Sequence, residues 1–280
     1  MIAGLATTAA LGSTAAAAGT ASFSVPAHLI ALTGEASIGS LWVLTGNSHH
    51  KEISLYLAKS GAFDYSEPVS PRADDISLSA NGGLLALGTS GGKFPAVILY
   101  NAHTGRFTKA IKSAVPITRV SVSANGANIS LLRGKGTAVS GFILGVSNGL
   151  GFTVPLTTAA TTDVDLVPAA VGHDSLVLQS NGTVLTLCFP SGAATSTIAT
   201  GAPARAMVLS PDGSTLYVLR APVAGSATST IAVVNLTTGK VVSTMPVSSD
   251  CVDLSMASSG ATLYEGISGA KGSQVVAVAV

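Results

Sequence analysis

The sequence predicts an all-β chain folded as a β-propeller, and three observations carry that reading. Glycines recur at Gly61, Gly105, Gly149, Gly192 and Gly239, at intervals of roughly 43–47 residues. Each follows a short apolar, β-branched run, at residues 53–57, 96–100, 184–189 and 231–235 and, less cleanly, 142–146. Charged residues make up only 10% of the 280-residue chain against 47% apolar, whereas ordinary domains carry about 25% charged residues. Strands buried on both faces between neighbouring four-stranded blades account for that composition. Apolar runs of this kind are too short, and too often broken by Gly, Pro and Asn, to cross a membrane as helices. A net charge of +1 leaves no bulk footprint for nucleic acid.

The fullest repeat defines the elements of a blade. A strand ends in Leu209-Ser210-Pro211-Asp212-Gly213, a second covers residues 214–219, and a longer loop leads to a third at 231–235. A tight hairpin through Thr237-Thr238-Gly239 then opens the fourth strand. Proline pre-sets the first turn and glycine supplies the positive φ that the turns need. Looser copies of the first turn stand at Ser79-Ala80-Asn81-Gly82, Ser123-Ala124-Asn125-Gly126 and Ser258-Ser259-Gly260, while the fourth repeat has lost it near residues 167–172. This repeat resembles the YVTN-type propeller family of surface-layer and lactonase-like proteins, most closely over residues 209–247. The resemblance implies the fold; such motifs identify activity poorly.

The chain ends predict how the ring closes. Gly61 and Gly239 are each followed by a short strand and a proline, Pro68 and Pro246, and Gly19 with Pro26 repeats that spacing. The C-terminus stops where the next turn glycine would fall. Residues 20–26 are therefore expected to supply the outermost strand of the last blade, giving six blades; the relatives' seven is the alternative. A closed ring removes the unpaired edge that would invite association, so a monomer is expected. Residues 19–280 form one propeller domain. Residues 1–18 carry no charge and end in Ala15-Ala16-Ala17-Ala18, which reads as the remnant of a secretory signal or as a low-complexity tail. An extracytoplasmic location follows from the first of these. Cys188 and Cys251 fall in non-adjacent blades, as buried free thiols.

Loops joining second to third strands, and outer strands to the next inner strand, share one face. Nine of the 14 basic residues fall there, among them Lys51, Arg72, Lys93, Arg133, Arg205, Arg220 and Lys271, with His49 and His50. One register is sharper. Asp75, Arg119, Asp165, Ala206 and Asp253 align at the start of the innermost strands, where they should ring one mouth of the central channel. Asp75, Asp165 and Asp253 offer oxygen ligands for a hard cation such as Ca²⁺. With Arg119, Lys93, Arg133 and Arg220 they form a candidate ligand-binding set. The competing reading is that each aspartate accepts backbone N–H groups at a strand entrance. Gly145-Val146-Ser147-Asn148-Gly149 matches a nucleophile elbow by chance, since that mechanism needs a strand–turn–helix. Trp42, Tyr217 and Tyr264 occupy second strands as packing residues.

No coherent acid–base or nucleophile set emerges. The expectation is a non-catalytic propeller that presents its charged loop face to a protein or cell-envelope partner. The alternative, implied by the resemblance, is a lactonase-like hydrolase with a polar or metal site at the channel mouth. A propeller cut from a larger sensor protein is a third reading.

Overall fold

The computed structural model describes residues 21–34, 39–91, 95–123, 125–135, 138–147, 151–156, 166–168, 175–188, 193–222 and 228–280. Every regular element among them is a strand. After β1 (Ala21–Val25), the first blade holds β2 (Leu29–Gly34), β3 (Ser40–Gly46), β4 (Lys51–Leu57) and β5 (Phe63–Val69). The second holds β6 (Ala73–Leu78), β7 (Leu84–Thr89), β8 (Ala96–Asn101) and β9 (Arg106–Lys112), and the third β10 (Ile117–Val122), β11 (Asn128–Lys135), β12 (Ala138–Gly145) and β13 (Gly151–Pro155). The fourth holds β14 (Leu166–Pro168), β15 (Ser175–Leu178), β16 (Thr183–Cys188) and β17 (Ala193–Ala199), and the fifth β18 (Ala204–Leu209), β19 (Thr215–Arg220), β20 (Ser229–Asn235) and β21 (Lys240–Val247). The sixth runs through β22 (Cys251–Met256), β23 (Thr262–Gly269) and β24 (Gly272–Ala279) and is completed by β1. The six sheets are antiparallel, and neighbouring inner strands touch all the way round from β2 through β6, β10, β14, β18 and β22 back to β2.

Six apolar clusters of described residues fill the six seams between blades. The largest joins the first and second blades through Trp42, Leu44, Ile53, Ile76, Leu85 and Leu87. The smallest, at the third–fourth seam, has Leu132, Val177 and Leu187 as its buried members. Trp42, Tyr217 and Tyr264 stand at matching positions of β3, β19 and β23, all buried. Cys251 is a buried free thiol; nothing is described of the Cys188 side chain.

The turn chemistry explains why the repeat is punctuated as it is. The Ser79 hydroxyl accepts the Leu84 N–H and donates to Asn81, whose side-chain oxygen accepts the Gly83 N–H. Ser123 with Asn125 and Ser210 with Asp212 repeat the arrangement. At Asp212, donation from the Ser210 hydroxyl and from Ser214 holds the carboxyl pKa down to about 2. The outer hairpins use a different pair. Asn101 and Asn235 accept the N–H groups and hydroxyls of Thr104 and Thr238, respectively.

Ring closure follows the sequence expectation. β1 pairs antiparallel with β24, from Ala21 opposite Ala277 to Val25 opposite Ser273. Phe23 stacks on Tyr56 of the first blade, 5.1 Å between ring centroids. It also lies over Gly61, where φ is +66° and an added Cβ would sit 2.5 Å from the Phe23 Cβ. On the other face, Ser268 and Ser273 accept the Leu29 N–H, and the Ser268 hydroxyl meets His28 Nδ1 at 2.7 Å. The closing strand is thus locked into the first blade as well as zipped onto the last. Gly61→Ala is expected to cost about 2 kcal/mol or more in urea unfolding, through both the positive φ and the clash. In a Phe23→Ala background the same change should cost less, though not nothing, because the ring atoms at 2.6 and 2.8 Å are gone while the Cβ stays.

Candidate functional site

The innermost strands carry a repeated irregularity. Inner strands β2, β6, β10, β18 and β22 each show a register shift near their start, between Leu29 and Ala31, Ala73 and Asp75, Ile117 and Arg119, Ala204 and Ala206, and Cys251 and Asp253. A bulge of this kind re-aims one side chain out of the ladder. The residues aligned from sequence, Asp75, Arg119, Ala206 and Asp253, sit at it; Asp165 and Lys93 lie outside the described residues.

At two seams the residue just past the bulged position, Asp75 after Asp74 and Asp253 after Val252, is a carboxylate that reaches the next blade. Asp75 Oδ2 accepts the Val120 N–H at 2.7 Å, and Asp253 Oδ2 accepts the Leu32 N–H at 2.8 Å. Asp253 Oδ1 also accepts the Leu254 N–H, at 2.9 Å. Opposite Asp75 on β7 stands Gly88, and opposite Asp253 on β23 stands Gly266. A Cβ at Gly88 would lie 2.8 Å from Val120 Cγ1, and one at Gly266 would collide with Leu32. Aspartate and glycine therefore act together: the carboxylate holds the N–H of the incoming residue, and the glycine leaves room for its side chain. Where the position past the bulge holds Ala31, Arg119 or Ala206 the facing residue is Leu44, Leu132 or Leu219. Gly88 and Gly266 escaped the sequence reading, although the same interval separates Asp75 from Gly88 and Asp253 from Gly266.

Two residues further along, hydroxyls repeat the link. Ser77 accepts the Val122 N–H, Ser255 that of Gly34, and Thr33 that of Leu78. Asp75, Asp253, Ser77, Ser255 and Thr33 line a central cavity of about 90 Å³, enough for a few waters or an ion. Arg119 donates instead to the Thr118 carbonyl at 3.0 Å.

The basic loop face is thinner than the sequence suggests, because three of its members belong to strands and point into the fold. Lys51 is buried, and its ammonium donates to the Ala73 carbonyl and pairs with Asp74 at 3.4 Å. Arg220 spans its blade, donating to Thr230, Thr244 and the Thr200 carbonyl. Arg133 donates to Thr153 and lies 3.8 Å over the Phe142 ring, where burial lowers the guanidinium pKa. Arg72, Lys271, His49 and Asp250 remain exposed on this face.

A buried carboxylate lies apart from these. Glu265 is 6% exposed on the side of β23 that carries Leu263 and Ile267 toward the fifth blade. Burial raises its pKa; burial, together with Glu265 and Asp253, also pushes the Cys251 thiol up.

No protein-family model matches the chain, and no curated protein does either. Solved structures do. The structure of U3-55K superposes with a TM-score of 0.66 at 10% identity, covering 93% of this chain and 98% of that one. The RRP9 WD40 repeats give a TM-score of 0.65 at 10% identity, over 93% of this chain and 97% of theirs. At this identity the likeness establishes a β-propeller architecture and nothing finer.

Removing either carboxylate should leave a buried N–H without an acceptor, a loss of about 1–3 kcal/mol. Asp75→Ala and Asp253→Ala are expected to lower unfolding free energy by such an amount in urea titrations. Because both carboxylates line one cavity, the double variant is expected to depart from the sum of the two. Glu265 makes a pH-dependent difference. Its folded pKa lies above the unfolded value of about 4.3, so stability is complete below that pH and is lost as pH rises through the folded pKa. Glu265→Gln should therefore melt above wild type at pH 7.5, with the gap closing toward pH 4. A constant gap would assign the difference to packing.

Proposed function

We propose that the chain is a non-catalytic binding or scaffold module acting through the face formed by its second-to-third-strand loops and its inter-blade connections. The observation that carries this reading is where the polar groups near the channel are spent. Asp75, Asp253, Lys51 and Arg220 all make ties within or between blades, and Arg72, Lys271, His49 and Asp250 are left to meet a partner. The propeller architecture supports it, since such rings offer a rigid platform whose loops vary independently of the blades. The partner we infer is a protein or a cell-envelope component, met outside the cytoplasm by a monomer; the uncharged N-terminal run and the YVTN-like repeat support that location. Calcium at the channel mouth, bound through Asp75 and Asp253 with Asp165, is the cofactor we propose to test. A lactonase-like hydrolase using the same mouth is the alternative.

Photo-crosslinking residues placed at Arg72 and Lys271 should capture a saturable partner, whereas the same residues at Lys59 and Arg106, on the opposite turns, should not. Equal capture from both faces would sink the proposed face. Turnover of simple lactones that rises with Ca²⁺ and disappears in Asp75→Asn/Asp253→Asn would replace the module with the enzyme.

A further inference from the structure

A second cavity, of about 320 Å³, opens where the sixth blade closes on the first. Its walls are Ala27 and His28 from the connection after β1, Thr45 and Gly46 from the end of β3, Asn47 and His50 from the loop, and Glu52 from β4. Three observations give it a chemical character. Thr45 is 1% exposed, and its hydroxyl has no hydrogen-bond partner. The matching residue of the second blade, Thr89, satisfies the same hydroxyl on Ala96. A buried polar group without a partner is costly and calls for a reason.

Glu52 is the cross-strand partner of Thr45, so both side chains project from the same face of the blade into this seam. The neighbouring cation does not neutralise Glu52, because Lys51 points to the opposite seam and binds Ala73 and Asp74. The loop itself is well braced: Asn47 accepts the His49 and His50 N–H groups, Gly46 donates to the His28 carbonyl, and His28 is held by Ser268. The walls are therefore set before anything enters. They combine one fixed negative charge, one unsatisfied hydroxyl and a lining otherwise made of imidazole edges, an amide and small residues.

We propose that this seam pocket takes the ammonium or guanidinium head of a basic side chain presented by a partner, with Glu52 pairing the charge, Thr45 completing the hydrogen bonds, and Ala27, Gly46 and the two imidazoles covering the alkyl stem. The volume lies at the small end of ligand sites, which suits one side chain and excludes a larger cofactor. An anion would meet Glu52, and a wholly apolar group would leave Thr45 unsatisfied and desolvate the carboxylate without compensation. The proposal rests on the reading of the chain as a binding module, and names what one part of that face recognises.

Amide NMR titration of the full chain tests it with N-acetyl-lysine methylamide and N-acetyl-arginine methylamide. The neutral isostere N-acetyl-norleucine methylamide and free butylammonium serve as comparators. Both cationic amino-acid probes should shift Gly46, Asn47 and Glu52, with norleucine at least tenfold weaker and butylammonium weaker than the lysine probe. Glu52→Gln, at a half-exposed position, should fold normally and lose at least fivefold in affinity. Thr45→Val should lose affinity while melting no lower than wild type, the signature of a hydroxyl kept for a ligand. Equal binding of norleucine, or unchanged affinity in Glu52→Gln, overturns the cation site. Butylammonium binding as tightly as the lysine probe overturns the side-chain source in favour of a free amine. These outcomes are read without the partner, so the pocket can fail while face-selective cross-linking stands.

Discussion

The innermost strand of each blade pairs with the second strand along one edge and turns its other edge to the channel, where no further strand can reach it. Its backbone N–H groups on that edge must still find acceptors, because a buried amide without one costs as much as a lost hydrogen bond. This chain meets the requirement with side chains of the preceding blade. Asp75 and Ser77 serve Val120 and Val122, Asp253 and Ser255 serve Leu32 and Gly34, and Thr33 serves Leu78. Each link fixes the height and the rotation of one blade against the next, so apolar clusters that are individually non-directional meet in a single register. Closure by β1 depends on the same control. The Phe23–Tyr56–Gly61 contact forms only if the sixth and first blades arrive at the right offset, and the Asp253–Leu32 bond sets that offset.

Local chemistry made the architecture legible. Turn glycines with positive φ, the Ser-x-Asn-Gly and Ser-Pro-Asp-Gly turns and the Asn-x-x-Thr-Gly hairpins are each dictated by a few adjacent residues, so their period shows in the chain. The closing strand was legible for the same reason: Gly19 and Pro26 repeat a spacing defined elsewhere. Partnerships between blades were not. Gly88 matters because Val120 fills the space above it, and Val120 belongs to another repeat. Lys51, Arg133 and Arg220 looked like loop charges because long basic side chains near strand ends resemble solvated ones. Their direction was decided by the Ala73 and Thr200 carbonyls and by the Phe142 ring.

Satisfying the inner strands also decides where a ligand can be met. A carboxylate that holds a neighbouring blade can meet an ion where it stands, but a molecule that draws it away exposes a buried amide in return. Groups available for recognition are then those the scaffold does not need, and they collect where the regular pattern is interrupted. The first-blade hairpin is such a place. There the chain replaces the self-satisfied Thr89 arrangement with a loop braced on Asn47, and the Thr45 hydroxyl loses the backbone partner that its position has in a neighbouring blade. The interruption falls beside the seam closed by the N-terminal strand, whose contacts with β24, Tyr56 and Ser268 keep its walls in place. Rigidity supplied by closure and polarity left over from an irregular hairpin are separate consequences of the sequence. At this seam they coincide, which preorganises the pocket and spares a ligand the cost of ordering it.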